Sequence, residues 1–249
     1  MWKESLQVWK LSLTENPLTT GLLVVLFLLL SSFSLIPPFT LLFPLLYYYI
    51  SFSYVVYVSK KYLESNGSEE KLRKYLRENL KVYITSYPGE TIAILIGQLF
   101  LTVLAFIVAF TVVVVSGAWL IVKPLLEGGE VSLWGMVIGV LIALLLYFSV
   151  VTSFPIFFGR AMLRGKGFGS TLQSFITSLY AEISWKTMLN WDYLKSSVVI
   201  SLMALALLFA NLLVGITPLA PALAPFVTFL TIHLAYTFGT VACFRLLRS

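Results

Sequence analysis

The chain has 249 residues, of which 59% are hydrophobic and 11% are charged, and its mean hydropathy is +0.94. Soluble proteins contain about 45–50% apolar and about 25% charged residues, so this composition excludes an ordinary soluble fold and predicts several membrane crossings. The net charge of +6 resides in loops beside apolar segments, which argues against a nucleic-acid-binding face.

Six apolar segments are long enough to cross the roughly 30 Å core of a bilayer as helices. In chain order they cover residues 18–36, 39–59, 91–115, 133–157, 196–216 and 223–244. The connections after the first and fifth segments are short and contain Pro37, Pro38, Pro218 and Pro221, which predicts tight turns. We therefore predict an all-α fold, a bundle of six transmembrane helices in three hairpins, which forms a single integral membrane domain over 1–249.

An amphipathic segment precedes each predicted hairpin on the inner side. Apolar residues recur at helical spacing in all three segments. They are Trp2, Leu6, Trp9 and Leu13 in the first, Leu72, Leu76, Leu80, Tyr83 and Tyr87 in the second, and Leu172, Phe175, Ile176, Leu179 and Ile183 in the third. The breaks that follow are Asn16-Pro17, Tyr87-Pro88-Gly89 and Asn190-Trp191. This order, three times over, indicates an internal repeat. Pro37 and Pro44 in the first hairpin and Pro218 and Pro225 in the third share a spacing of seven residues, a match that is also compatible with chance.

Basic residues predict the orientation of the chain. The segment from Lys60 to Lys81 contains seven of the 17 Lys and Arg residues. With six spans, every basic residue except Lys123 falls on one side, together with both termini. Because Lys and Arg are enriched in cytoplasmic loops, we predict a protein of the cell membrane with both termini in the cytoplasm.

Four residues inside the predicted spans are candidates for a polar cavity or ligand site: His233, Gln98, Asn211 and Tyr54. His233 could bind a ligand or shuttle a proton; the alternative, which we favour, is a hydrogen bond to a neighbouring helix. If His233, Gln98 and Asn211 converge, they would line a cavity; otherwise they hold helices together. The tyrosine-rich second span could line a groove for an amphipathic substrate or place aromatic rings at both interfaces.

Arg160, Arg164 and Lys166 lie among glycines after the fourth span. Cations and backbone donors of this kind can hold a phosphate, so we predict contacts with an anionic lipid headgroup. The alternative is an orientation signal beside a flexible turn. The segment lacks the Gly-x-x-x-x-Gly-Lys-Ser/Thr pattern, and a P-loop is therefore not predicted.

The sequence offers few groups for catalysis. It contains one histidine, one cysteine and no paired carboxylates, nucleophile elbow or dinucleotide fingerprint. The predicted spans contain no Asp, Glu, Lys or Arg, whereas ion-coupled carriers usually need an intramembrane carboxylate. We therefore expect no enzymatic activity, no cofactor, no metal site and no ion coupling.

The Asn16-Pro17 break, the turn from Pro218 to Pro225 and the closing Phe238-Gly239 fit a layout of six spans with amphipathic helices before the hairpins. In this layout the chain resembles the prokaryotic membrane family that includes the membrane domain fused to some glycerophosphodiester phosphodiesterases. The resemblance implies a helical bundle of unassigned activity. Phosphodiesterase activity does not carry over, because the chain lacks the catalytic half.

Three functions are compatible with these features. The first is a permease-like bundle that handles a lipid or small solute, with membrane lipids as partners. The second is a membrane subunit of a larger complex, such as an ATP-driven transporter, that docks a cytoplasmic protein through residues 68–87 and 171–191. The third is a scaffold that shapes the bilayer through its amphipathic helices. Solute flux would favour the first, and copurification of an ATPase the second.

Overall fold

A computed structural model describes residues 1–33, 40, 42–117, 133–215 and 220–247. The described residues form helices and connecting turns, and no strand occurs among them. The helices are α1 (Trp2–Thr14), α2 (Pro17–Phe33), α3 (Leu42–Glu64), α4 (Glu69–Leu76), α5 (Leu80–Thr85), α6 (Pro88–Gly117), α7 (Leu133–Arg164), α8 (Gly167–Thr177), α9 (Glu182–Met188), α10 (Trp191–Gly215) and α11 (Ala220–Leu247). The predicted all-α class is confirmed.

Four of the described helices are long and apolar enough to cross a membrane. They are α3, the Pro88–Val108 part of α6, α10 and the Leu223–Leu247 part of α11. The α1–α2 pair adds a fifth if it is counted as one span, but these two helices meet at an angle of 81°. These apolar helices indicate a membrane-embedded protein, as the composition predicted. The six-span, three-hairpin arrangement and the orientation stay predictions, and the turns at Pro37-Pro38 and Pro218 and the loop with Lys123 lie outside the described residues.

The contacts divide the chain into two compact units. The first unit comprises Met1–Gly97 and Phe154–Ser249, and the second comprises Gln98–Ser153. In the first unit α3 and α11 are the central helices: 56% and 61% of their apolar windows are buried, compared with 17% for α10. The second unit exposes large apolar side chains such as Phe106 and Leu141. The single domain over 1–249 stays a prediction.

Two glycines allow α7 and α11 to pack closely in the first unit. A Cβ atom added at Gly239 would lie 1.8 Å from the carbonyl oxygen of Pro155. A Cβ atom at Gly159 would lie 2.2 Å from the carbonyl oxygen of Gly239. Small residues of this kind bring helix backbones together in membrane proteins. The packing fixes the C-terminal end of α7, from which the basic residues Arg160 and Arg164 extend.

The second and third amphipathic segments are each divided into two helices. The segment predicted as one surface helix after Ser68 stops at Leu76 and restarts at Leu80. The cause is Asn79, whose Oδ1 accepts a hydrogen bond from the Val82 backbone nitrogen (3.2 Å) and so starts a new helix. The third segment also consists of two helices, of which the first ends at Thr177 and the second begins at Glu182.

Helices α1 and α8 pack against the bundle through hydroxyl-bearing residues together with a few apolar ones. Helix α1 buries Ser5, Val8, Leu11 and Ser12, while Trp2, Leu6, Trp9 and Leu13 are half-exposed. Helix α8 buries Thr171, Ser174 and Phe175, while Leu172 and Ile176 are half-exposed. Hydroxyl-bearing side chains are small and can bond to a backbone oxygen, which permits close contact with neighbouring helices. Among the predicted apolar residues Phe175 is buried, and the half-buried Trp9 donates its indole N–H to the Leu230 carbonyl oxygen of α11 (3.3 Å).

Candidate functional site

A cleft with a polar lining lies at the C-terminal end of α7, within the first unit. Its volume is about 580 Å³, which falls in the range of about 300–1,000 Å³ that is usual for ligand sites. Its charged and aromatic lining residues are Lys60, Glu64, Tyr87, Glu90, Arg160, Arg164 and Lys166. We call it the basic cleft. The three residues predicted to contact a lipid headgroup therefore line one cleft.

Hydrogen bonds from α3 and α6 hold the turn that forms the basic cleft. Lys60 Nζ donates to the carbonyl oxygens of Met162 (3.0 Å) and Gly165 (2.6 Å), so this lysine caps the last turn of α7. Gly167 has a positive φ of 78°, which glycine adopts without strain. The Gly167 nitrogen donates to Glu90 Oε1 (2.9 Å) in the first turn of α6. The turn is thus tied to two other helices.

Arg160 is buried at this cleft, with 3% of its surface exposed. Its Nη1 donates to Ser184 Oγ (2.5 Å), but its Nε has no hydrogen-bond partner in the described part of the chain. None of the ion pairs among the described residues includes Arg160. Burial, and next the like charge of Arg164, lower the pKa of Arg160. Because a guanidinium stays protonated in proteins, the cleft contains a buried cation that forms no ion pair with any described residue.

The other two predicted headgroup contacts are exposed. Arg164 and Lys166 reach solvent at the mouth of the cleft. The Lys166 backbone nitrogen donates to Ser170 Oγ (2.7 Å), which orders the start of α8. Neither side chain takes part in an ion pair with another described residue. Both charges are therefore available to a ligand.

The two carboxylates of the cleft differ in their partners. Glu64 accepts hydrogen bonds from Lys61 Nζ (2.7 Å) and the Tyr87 hydroxyl (2.8 Å). Glu90 accepts the bond from Gly167, and no cation of the described ranges pairs with it. Glu64 is thus paired directly with a lysine, whereas Glu90 interacts electrostatically with Lys60 but forms no direct ion pair with a described residue.

The structure brings two of the predicted cavity residues, Tyr54 and His233, together in the core. Both are fully buried, and their rings meet edge to face at a centroid distance of 5.4 Å. Ser12 of α1 joins them, because its Oγ lies 2.6 Å from His233 Nε2 and its carbonyl oxygen accepts the Tyr54 hydroxyl (2.5 Å). Thr237 Oγ1 lies 3.3 Å from the other ring nitrogen of His233. Hydrogen bonds between α1, α3 and α11 therefore satisfy this cluster.

The remaining two cavity candidates have other contacts. Asn211 Nδ2 donates to Thr228 Oγ1 (3.2 Å), which links α10 to α11. Gln98 belongs to the second unit, where its Nε2 donates to Thr102 Oγ1 (3.4 Å) one turn further along α6. The Asn211 bond between two helices supports their packing, whereas the Gln98 bond stays within one helix. A cavity that His233, Gln98 and Asn211 share stays a prediction.

Sequence reasoning missed Lys60, Glu90 and Ser12 as members of these sites. Lys60 contributes to the orientation signal, and nothing local indicates that it reaches a turn more than a hundred residues away. Glu90 directly follows Pro88-Gly89, so its place in the first turn of a helix was readable, but its partner was not. Among the described residues, no group of three His, Cys, Asp or Glu side chains is arranged to hold a metal ion.

The sequence is 29% identical over 255 residues to an uncharacterised protein of Aquifex aeolicus (strain VF5). The alignment covers 99% of this chain and 92% of that relative. No protein-family model matches the chain, and no solved structure is significantly similar to it. The resemblance to the family with the phosphodiesterase-linked membrane domain stays a prediction.

Proposed function

We propose that this membrane protein binds the phosphate group of a membrane lipid in the basic cleft, as a permease-like, lipid-handling bundle without ion coupling of its own. The observation that carries the proposal is Arg160, which is buried, lines the cleft and has no acidic partner among the described residues. A buried charge without a partner costs several kcal/mol, roughly. A phosphate would supply the missing negative charge and an acceptor for Nε.

The exposed residues of the cleft support the same ligand. Arg164 and Lys166 add two positive charges at the mouth, where a headgroup would enter. Clusters of basic residues beside membrane helices attract phosphate-bearing lipids. We favour a lipid over a soluble phosphate compound because the cleft lies at the ends of two apolar helices, α3 and α7. The proposed role is binding and handling of the lipid rather than catalysis.

Binding of a short-chain lipid tests the proposal. Purified protein in detergent is titrated with dihexanoyl phosphatidylglycerol and, separately, with inorganic phosphate, and bound lipid is counted by native mass spectrometry. We expect the double variant Arg164→Gln/Lys166→Gln to bind the lipid at least about tenfold more weakly, because hydrogen bonds to charged groups contribute about 1.5–3 kcal/mol each. The control variant Lys74→Gln/Lys81→Gln removes two exposed cations outside the cleft and should bind normally.

Each arm has an outcome that contradicts the proposal. An equal loss in both double variants would indicate non-specific attraction between a cationic protein and a phosphate. Inorganic phosphate that binds as tightly as the lipid would identify a soluble ligand instead. Lipid binding that neither variant changes would show that the cleft is not the site.

A second candidate function is docking of a cytoplasmic protein at residues 180–191. Five apolar or aromatic side chains are exposed there: Tyr180 (72%), Ile183 (39%), Trp185 (50%), Leu189 (76%) and Trp191 (67%). Tryptophan and tyrosine also collect at the membrane interface, which accounts for the same exposure without a partner. Copurification of an ATPase that Trp185→Ser abolishes would favour docking. If Trp185→Ser copurified with the same proteins as the unaltered chain, the exposed aromatic residues would be better explained as an anchor at the membrane interface.

A further inference from the structure

We infer that the headgroup recognised in the basic cleft is of the ethanolamine type, with a phosphate beside a primary ammonium group. The inference rests on the proposed function and specifies the ligand class of that same site. Five charged residues of the cleft form no ion pair with another described residue: Lys60, Arg164, Lys166, Arg160 and Glu90. The inference starts from the last two. One is positive and the other negative, as a zwitterionic ligand requires.

Arg160 fits the phosphate end of such a ligand. Its guanidinium is buried, its Nε has no hydrogen-bond partner among the described residues, and Arg164 places a second cation at the same cleft. Two guanidinium groups match the geometry of a phosphate, which accepts paired hydrogen bonds from each. Lys60 is less available, because its ammonium already donates to the carbonyl oxygens of Met162 and Gly165.

Glu90 fits the ammonium end. The bond from the Gly167 nitrogen fixes its carboxylate at 2.9 Å from the turn that carries Lys166, so the group cannot swing away from the cleft without losing that bond. Its side chain is half-buried and lines the cleft together with Arg160. A carboxylate accepts several hydrogen bonds, so a primary ammonium can bind Glu90 while the Gly167 bond persists. A headgroup that carries only negative charge would leave this carboxylate unpaired.

A choline headgroup is disfavoured because the aromatic cage that would bind its quaternary ammonium group is already occupied by a lysine. Quaternary ammonium groups bind in cages of aromatic rings. Tyr57, Tyr75 and Tyr87 form such an arrangement, but the ammonium of Lys61 occupies it, at 5.8, 4.9 and 5.7 Å from the three ring centroids. Glu64, the carboxylate beside these rings, is paired with the same lysine. A trimethylated nitrogen, which cannot donate a hydrogen bond to Glu90, finds no vacant cage here.

Headgroup preference tests the inference separately from the proposed function. Dihexanoyl forms of phosphatidylethanolamine, phosphatidylcholine and phosphatidylglycerol are titrated into the purified protein in detergent, with native mass spectrometry as the readout. We expect the ethanolamine lipid to bind at least about tenfold more tightly than the other two, because only its ammonium group can donate a charged hydrogen bond to Glu90. Glu90→Gln should abolish this preference, since the amide oxygen can still accept the Gly167 bond but carries no charge. The control Glu70→Gln alters an exposed carboxylate of α4 and should keep the preference.

The outcomes separate the two claims. Equal binding of all three lipids, with an unchanged Glu90→Gln variant, would overturn the inference and leave phosphate binding intact. If the unaltered protein bound none of the three lipids more tightly than the Arg164→Gln/Lys166→Gln variant does, the proposed function itself would be overturned.

A variant that leaves Glu90 in place gives a further test of the choline argument. Lys61→Ala empties the tyrosine cage and should increase phosphatidylcholine binding. Unchanged choline binding in Lys61→Ala would contradict the cage explanation.

Discussion

Ser12 of α1 and His233 of α11 are hydrogen-bonded at 2.6 Å, although 221 residues separate them in the sequence. The same serine contributes its carbonyl oxygen to the Tyr54 hydroxyl of α3. One small residue therefore joins the N-terminal helix to both central helices. Its hydroxyl occupies a position where a larger residue would separate the helices.

Replacing Ser12 by alanine should destabilise the first unit. The change leaves a ring nitrogen of a fully buried histidine without its partner, which costs about 1–3 kcal/mol. Thermal unfolding in detergent should show a lower Tm for Ser12→Ala. The matched control is Ser32→Ala, because Ser32 is exposed and its hydroxyl donates within its own helix, to the Leu28 carbonyl oxygen (2.9 Å). Equal Tm values for the two variants would show that the His233 bond contributes nothing.

Gly239→Ala should be more damaging, since the new methyl group would meet backbone rather than a flexible side chain. The nearest atom, the carbonyl oxygen of Pro155, lies only 1.8 Å from the position of the added Cβ. Overpacking usually costs about 1–3 kcal/mol and sometimes more, and here α7 and α11 must separate. The control is Gly21→Ala, where nothing lies within 4 Å and alanine favours the helix by about 0.5–1 kcal/mol. We expect the Tm to fall in the first variant and to stay or rise in the second.

The features that the sequence predicted correctly are local ones. The breaks at Asn16-Pro17 and Asn190-Trp191 mark true helix starts, because each asparagine caps the helix that follows. Asn16 Oδ1 accepts from the Thr19 nitrogen (3.1 Å), and Asn190 Oδ1 accepts from the Asp192 nitrogen (2.9 Å). Capping depends on residues three positions apart or fewer and can be read from the chain.

The features that the sequence could not supply are contacts between distant helices. Arg160, Arg164 and Lys166 were identified as a basic group, but nothing in their spacing indicates that Arg160 is buried or that Glu90 lies beside the same turn. Likewise, the apolar spacing of α1 grouped Trp9 with its neighbours on one face but did not indicate that Ser12 lies against α3 and α11. Periodicity shows that a helix has two faces, but in a membrane protein both the lipid and the bundle accept apolar residues, so it does not show which face is inside.

Glu15 should make the stability of the first unit dependent on pH. Its carboxylate accepts hydrogen bonds from Arg77 (3.0 Å) and Arg73 (2.6 Å), and these bonds lower the pKa of Glu15 below its ordinary value of 4.5. A carboxyl whose pKa is lower in the folded state stabilises the fold above the unfolded pKa, and this contribution is lost as pH falls through the folded pKa. The Tm should therefore decline as pH is lowered from about 5 towards 3.

The Glu15→Gln variant checks that assignment. It should have a lower Tm than the unaltered protein at pH 7 and a smaller decline on acidification, since the charged pair with Arg77 and Arg73 is absent throughout. Glu70→Gln, on the exposed face of α4, serves as the control and should retain the full decline. A Glu15→Gln protein that loses stability with acid as steeply as the control would assign the pH dependence to other carboxylates.

Cysteine labelling should place the basic ends of the helices on one face of the membrane. In a Cys243→Ala background, which removes a buried thiol, single cysteines are introduced at Lys10, Lys74 and Arg164, which are all exposed. Because the even number of spans predicted from the sequence returns every one of these positions to the same side, and because Lys and Arg favour the cytoplasm, a membrane-impermeant maleimide should label all three in inverted vesicles and none in intact cells. Glu130, in the connection that the sequence predicts to be external, should give the reverse pattern as a Glu130→Cys variant. If Arg164→Cys reacted in intact cells while Lys10→Cys did not, the number of spans between them would be odd, and the basic cleft would face the outside of the cell.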